Sequence, residues 1–381
     1  MKRLWFVFLI LLLPFKNAQA DLKSAYEALQ SKNYEFALSQ LSGVKSSSLQ
    51  DYIFWIHGKS SLELGRLDDA IRAFEQLMTQ DPRSLFVDDA RAGLAKAWYQ
   101  KSNFEKVRSL MMGSLSKFED ASKKEKGEAL YYAGLAELQL GDSNKALAYL
   151  KESYLQNPNP EISKELSAKL SELGVQLNAT DLLKRADQYF NSKSYSEAIR
   201  AYEAVVSGEE ARVASVKKGE ALYQLKKCSE ALPYLTNTAS GLSIELARLV
   251  LLHRGICQQK VQDTSQAQMT FERVQQLYPS TLEGEEALYR LGDMALNSGN
   301  ATQAFSYFQS LSDQYPRGNF RDKGMWAAAW KAYETQDFDR AKKFLSSLEN
   351  GAQDFPTKGK AIYWLGKVAL KQKNEKLAKS E

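Results

Sequence analysis

The sequence predicts an all-α protein, a right-handed superhelical solenoid built from antiparallel helix pairs. Three observations carry that expectation. Six stretches share one spacing: a Gly, an Ala twelve residues later, and usually an aromatic residue or Leu four residues beyond it. The clearest copies are Gly255–Ala267–Phe271–Pro279 and Gly292–Ala304–Phe308–Pro316, whose anchors lie 37 residues apart. From Leu22 onward no convincing alternating strand interrupts the helical periodicity. A fixed period of this length marks a solenoid.

The spacing has a packing reason. A Gly or Ala at the first motif position lets the first helix of a pair approach the second closely. The later Ala sits where the second helix crosses, and the aromatic one turn on lies on the same face and fills the gap. The Pro that follows ends the second helix, because it has no N–H to donate and disfavours helix in the residue before it. Gly58–Ala70–Phe74–Pro82 and Gly134–Ala146–Leu150–Pro158 repeat these offsets, while Gly219–Ala231–Leu235 and Gly366–Ala378 follow them loosely. In these residues the chain resembles the tetratricopeptide repeat, which implies stacked helical hairpins that bind or assemble. The motif residues are accordingly read as core.

Taken in order, the elements begin with a segment outside the fold. Lys2 and Arg3 precede the apolar run 4–13, and Ala18-Gln19-Ala20 places small residues at the two cleavage positions. Residues 1–20 therefore read as a secretory signal peptide cleaved before Asp21. The apolar run is short for a permanent anchor, and no Cys follows the cleavage position. Export to a bacterial periplasm, without stable membrane insertion, is the expectation. An N-terminal repeat array then covers 21–158, with pairs at 22–41, 52–81, 90–112 and 128–156. Tyr26, Tyr34 and Ala37 fill the first, and Val107 replaces the crossing Ala of the third. Asn157-Pro158-Asn159-Pro160 breaks the pattern. Residues 159–179 form a connector, with Ile162, Leu166, Leu170 and Leu173 at helical spacing. A C-terminal array over 180–381 holds pairs at 182–205, 211–235, 245–277, 283–314, 321–348 and from 357 onward. Ala378 stands at the crossing position of the last pair, so only the start of its second helix is expected and the array reads as uncapped. A longer polypeptide or another chain would then cover it.

Composition limits the partners. The formal charge of +5 falls to +2 once Lys2, Arg3 and Lys16 leave with the signal peptide. No basic block is able to neutralise many phosphates, so nucleic acid is not expected as a partner. Lysine runs such as 123–126 and 371–373 alternate with acidic or polar residues and read as solvated helix ends. Cys228 and Cys257 are the only cysteines. An oxidising compartment permits a bridge between them. One falls at a turn and the other inside a helix, however, and bridge geometry is demanding, so two buried thiols are expected.

No catalytic constellation is legible. His57 and His253 are the only histidines, and neither has a ligand-type neighbour at i+4 or a Cys pair nearby. Both read as packing residues on first helices, and no metal or cofactor is implied. There is no phosphate loop, dinucleotide fingerprint or nucleophile elbow. Glu152-Ser153 lies in a second helix and reads as structural.

The aromatic residues near the C-terminus are more informative. Trp326, Trp330 and Tyr333 follow at i, i+4 and i+7 along one helix face, and Tyr363 and Trp364 come from the next first helix. First helices line the inner wall of such a solenoid. The stripe therefore either fills the core between repeats or offers faces that stack sugars or grip another domain. Trp330 and Trp364 are assigned to the core. Trp326, Tyr333 and Tyr363 are the candidate binding residues.

The run 321–333, RDKGMWAAAWKAY, precedes DFDRA at 337–341 and GKAIYWLGK at 359–367. This helix pair and the motif after it resemble the helical superstructure of soluble lytic murein transglycosylases. The resemblance covers about sixty residues and implies a scaffold that works on or near peptidoglycan, beside a catalytic domain. In that family a Glu in a Glu-Ser motif, followed by a Gly-Leu-Met-Gln-type stretch, acts as acid and then base to release an anhydro sugar. This chain has no counterpart of that stretch, so no residue inherits the role and no activity is expected of it. The functional expectation is an exported scaffold that binds peptidoglycan or an envelope protein. The alternatives are an incomplete lytic transglycosylase lacking its catalytic domain, and a generic periplasmic adaptor for envelope assembly.

Overall fold

The computed structural model describes residues 16–42, 44, 47–112, 123–157, 160–235 and 242–378. Most of the expected signal peptide, Pro158-Asn159 of the expected break, and the last three residues lie outside them. Among the described residues there are twenty α-helices, one short 3-10 turn and no strand. None of these helices is long and apolar enough to cross a membrane.

The chain divides into two compact units, Met1–Lys193 and Ser194–Glu381. In the first, α1 (Lys16–Gln30) pairs with α2 (Tyr34–Leu41), and α3 (Gln50–Glu63) with α4 (Leu67–Gln80). Next come α5 (Val87–Gln100) with α6 (Phe104–Met112), and α7 (Lys123–Gln139) with α8 (Ser143–Gln156); α9 (Pro160–Glu172) and α10 (Ala179–Asn191) complete the unit. The second unit opens with α11 (Tyr195–Glu203), α12 (Gly208–Gln224) and the single turn α13 (Cys228–Ala231). Its regular pairs are α14 (Ile244–Lys260) with α15 (Thr264–Leu277), and α16 (Leu282–Asn297) with α17 (Ala301–Gln314). The last elements are α18 (Arg321–Glu334), α19 (Phe338–Gly351) and the long α20 (Phe355–Ala378). The fold is an all-α solenoid of helix pairs, as the period implies.

The repeat motif is a clasp. The crossing residues Ala37, Ala70, Val107, Ala146, Ala198, Ala231, Ala267, Ala304 and Ala341 are all fully buried. The aromatic that follows sits between two small residues on successive first helices. A Cβ placed on Gly58 would collide with the Phe74 ring, and one on Gly93 would lie 2.5 Å from the same ring. Phe308 is held likewise, 2.5 Å from a Cβ on Gly292 and 2.8 Å from one on Gly324. Each ring therefore ties its own pair to the next, which makes the stack continuous. Pro82, Pro279 and Pro316 each follow the end of a second helix by two residues.

The turns inside the pairs share one device. Each has a left-handed residue that closes the first helix, followed by the residue that caps the second. Gly65, Gly141 and Gly299 fill this place at φ 72°, 81° and 80°, but Lys32, Ser102, Lys226, Gln262 and Gln336 hold it as well, at φ 56–66°. After it, Asn33, Asp142, Asp263, Asn300 and Asp337 accept a hydrogen bond from a first-turn backbone N–H. A left-handed side chain other than Gly is strained. Gln262→Gly is therefore expected to stabilise the second unit by about 0.5–1 kcal/mol, the relief of strain exceeding the extra unfolded-state entropy. Chemical denaturation measures it, and a loss of stability would contradict this account of the turn.

Several buried polar groups among the described residues are paired across helices. In the first unit Asp89 accepts from the Trp55 indole N–H at 2.5 Å and from Lys59 at 2.9 Å. Burial pulls the Lys59 pKa down, but the Asp89, Glu128 and Glu125 carboxylates together more than offset it and the ammonium is held above its ordinary value. Arg185 serves the region of the expected break. It donates to the Tyr154 carbonyl at 2.8 Å, to the Asn157 carbonyl and to Ser163, with the Tyr154 and Tyr189 rings against its guanidinium. The carbonyls freed where α8 ends are thus satisfied from α10. Ser153 donates to the Gly127 carbonyl at 2.6 Å, a structural role. In the second unit His253 is buried, donating from Nδ1 to Glu220 at 2.7 Å and stacking on Tyr223 at 3.7 Å.

Three sequence expectations are corrected. Cys228 and Cys257 are disulfide-bonded, not buried thiols, with Cα atoms 4.8 Å apart. The turn that carries Cys228 lies directly against α14, within the separation a bridge needs. Second, the pair at 211–235 has a second helix of only four residues, because Pro233 follows and cannot extend it. Third, α20 runs unbroken to Ala378, so Ala378 does not begin a second helix.

Candidate binding surface on α18 and α20

The sequence of α18 sorts its residues sharply by size. Gly324, Met325, Ala328, Ala329 and Ala332 are buried and bring this helix close to its neighbours. Such a face has no room for rings, so Trp326, Trp330 and Tyr333 are displaced onto the opposite side, one above another. The helix is anchored at its start by Arg321, which is buried and donates to the Ser347 carbonyl at 2.7 Å. The Phe320 N–H just before it donates to the buried carboxylate of Glu285.

The three rings form a ledge. Trp326 and Trp330 stack with centroids 6.2 Å apart, and Trp330 stacks on Tyr333 at 6.1 Å. Trp364 of α20 meets all three edge-on, at 6.2 Å from Trp326, 5.0 Å from Trp330 and 5.2 Å from Tyr333. Tyr363 touches Trp364 at 5.8 Å, and Phe338 meets Tyr333 at 5.7 Å. Edge-to-face geometry suits the ring quadrupoles and fixes their orientation without a ligand. Two lysines border the ledge: Lys360 lies over Trp326 at 3.4 Å from its centroid, and Lys367 over Tyr363 at 5.4 Å.

Trp326 and Tyr333 are half-buried against the core, while Tyr363 is 58% exposed. Trp364 is half-buried. Trp330, assigned to the core from the sequence, is instead 39% exposed and stands at the centre of the stack. The small buried face of α18 is the physical reason, and the i, i+4, i+7 spacing with Trp326 and Tyr333 was the signal. Among the described residues no cluster of His, Cys, Asp and Glu is arranged to hold a metal.

Comparison with known families identifies the repeats. Residues 128–159, 249–281 and 286–317 match one tetratricopeptide-repeat model, and residues 57–106 match a second. These four segments are thus similar to the tetratricopeptide repeat, in agreement with the helix pairs they form. Both matching family models describe tetratricopeptide repeats and neither describes a lytic transglycosylase. A search of proteins of curated function finds no match. Among solved structures, the Cut9–Hcn1 hetero-tetramer of the APC/C aligns at 15% identity and TM-score 0.36, over 94% of this chain and 65% of that one. This chain thus spans less than two thirds of that protein. The C-terminal part of a TPR repeat-containing protein from Cytophaga hutchinsonii aligns at 12% identity and TM-score 0.34, over 71% of this chain and 98% of that one. Pseudomonas aeruginosa pilF aligns at 15% identity and TM-score 0.32, over 71% of this chain and 96% of that one.

Proposed function

We propose that this protein is an exported, non-catalytic scaffold of the bacterial cell envelope that holds a peptidoglycan glycan strand on the aromatic ledge of α18 and α20. The observation that carries the reading is the stack of Trp326, Trp330 and Tyr333, pre-ordered by Trp364 and open at Trp330. Flat aromatic faces suit sugar rings, and Lys360 and Lys367 beside them suit the carboxylates of attached peptides. Export is supported by the charged, then apolar, then small-residue order of residues 1–20, and by a disulfide, which persists in oxidising compartments. The motif over 321–367, with its likeness to the scaffold of lytic transglycosylases, supports peptidoglycan as the setting.

The second reading is a protein partner on the same ledge, favoured by the tetratricopeptide matches. Co-sedimentation with purified, protein-free sacculi separates the two. The chain is expected to pellet with sacculi, and Trp330→Ala to weaken this about tenfold, the effect of losing one aromatic anchor, with helix content unchanged. Failure of the parent chain to pellet with purified sacculi, together with retention on whole envelopes, would replace the glycan by a protein.

A further inference from the structure

The small residue of the motif recurs every 37 residues along the second unit, at Gly255, Gly292, Ala329 and Gly366. In the regular pairs a side chain of the second helix covers it. A Cβ on Gly255 would lie 2.6 Å from Phe271, and one on Gly292 would lie 2.5 Å from Phe308. The first unit repeats this with Gly134 against Leu150, at 2.6 Å. Ala329 is buried too. Among the described residues nothing lies within 4 Å of a Cβ placed on Gly366 or on Gly359.

The face of α20 that carries them is apolar. Ala361, Trp364, Leu365 and Val368 turn towards the core. The opposite side presents Phe355, Gly359, Ile362, Gly366 and Leu370 in one stripe. Phe355 is 86%, Ile362 55% and Leu370 60% exposed. In the regular pairs a three-residue turn sends the second helix back over this face. Here α20 continues to Ala378, and no described helix covers the stripe.

We propose that this stripe docks an amphipathic helix of a partner protein, which lays a Phe or Leu over Gly366 as Phe308 lies over Gly292, and which carries acidic residues on its flanks. Charge fixes the second half of that statement. From Phe355 to Lys373 the helix carries Lys358, Lys360, Lys367, Lys371 and Lys373 and no Asp or Glu, so an acidic partner is both attracted and oriented. Shape favours a helix over a lipid surface: two glycines notch the stripe, and notches receive the ridge of another helix, whereas insertion between lipids gains from bulky residues. The apolar stripe is a different face of α20 from the one Trp364 contributes to the ledge, and the two surfaces share only Lys360 and Lys367.

The probe is a synthetic peptide of residues 300–315, the chain's own second helix with the Ala304–Phe308 pair, made acidic on its flanks by Gln303→Glu and Gln309→Glu, titrated against the full chain by fluorescence anisotropy. The expected result is saturable binding that weakens with salt and about tenfold or more on Gly366→Phe, which fills the notch. The same loss is expected when the peptide carries Phe308→Ala. Gly366→Phe should leave the fold intact, because among the described residues nothing lies within 4 Å of the added Cβ, and circular dichroism checks this. Absence of binding, or binding indifferent to Gly366→Phe, would overturn the proposal. So would adsorption of the chain to phosphatidylglycerol vesicles that Ile362→Asp abolishes, which would assign the stripe to a membrane surface. A dimer in sedimentation equilibrium that Gly366→Phe dissociates would assign it to a second copy and overturn it equally.

Discussion

Phe308→Ala is expected to lower the stability of the second unit by about 3–5 kcal/mol, the range for removing a buried aromatic and leaving its cavity. The ring is fully buried and is gripped from both sides, by Gly292 of its own pair and Gly324 of the next. These are helix backbones without side chains, so neither can collapse far into the space. In a stack of repeats each unit leans on its neighbours. The loss should therefore appear first as faster amide exchange in α16 to α19, ahead of global unfolding. Gly292→Ala is the reciprocal test. The added methyl has no room against an intact Phe308 ring and should cost about 1–3 kcal/mol, but should cost less in a Phe308→Leu background. Strictly additive effects would show that the Gly and the ring do not pack as a unit.

Cys228→Ser is expected to cost about 3–4 kcal/mol under oxidising conditions, as estimated from loop closure across 29 residues. The bridge matters here because the second helix of its pair is a single turn. Pro233 stops α13 after four residues, so the segment from Cys228 to Leu235 is held to α14 by the bridge and by Ala231 and Leu235 in the core. Unfolding of the parent with and without reductant should reproduce the difference, and Cys228→Ser should be insensitive to reductant. Equal stability of the parent in both conditions would mean that the bridge contributes nothing.

The architecture was legible because it is written as a period. Gly, Ala and an aromatic at fixed offsets are the parts of the clasp, and the buried crossing residues Ala70, Ala146, Ala231, Ala267 and Ala304 could be named before any coordinate, whereas Ala198 and Ala341 were not. Even the departure at Val107 keeps its place in the core. What was missed depends on context outside the period. Pro233 interrupts a pair that otherwise fits the offsets. The disulfide depends on how near a turn comes to a neighbouring helix, which spacing along the chain does not encode. Arg185 closes the gap after α8 from 28 residues away, and nothing local marks it. At the ledge, the sequence placed Trp326, Trp330 and Tyr333 on one side of a helix. It did not say which side faced the core, and the answer lay in the small residues between them.

Amide hydrogen exchange of the full chain, with and without soluble glycan strands from purified peptidoglycan, tests the central claim most directly. The account predicts slower exchange in α18 and the 355–370 part of α20, lost in Trp330→Ala, with α3 to α8 unchanged. Exchange in α18 and α20 that does not respond to glycan, or protection that persists in Trp330→Ala, would contradict it.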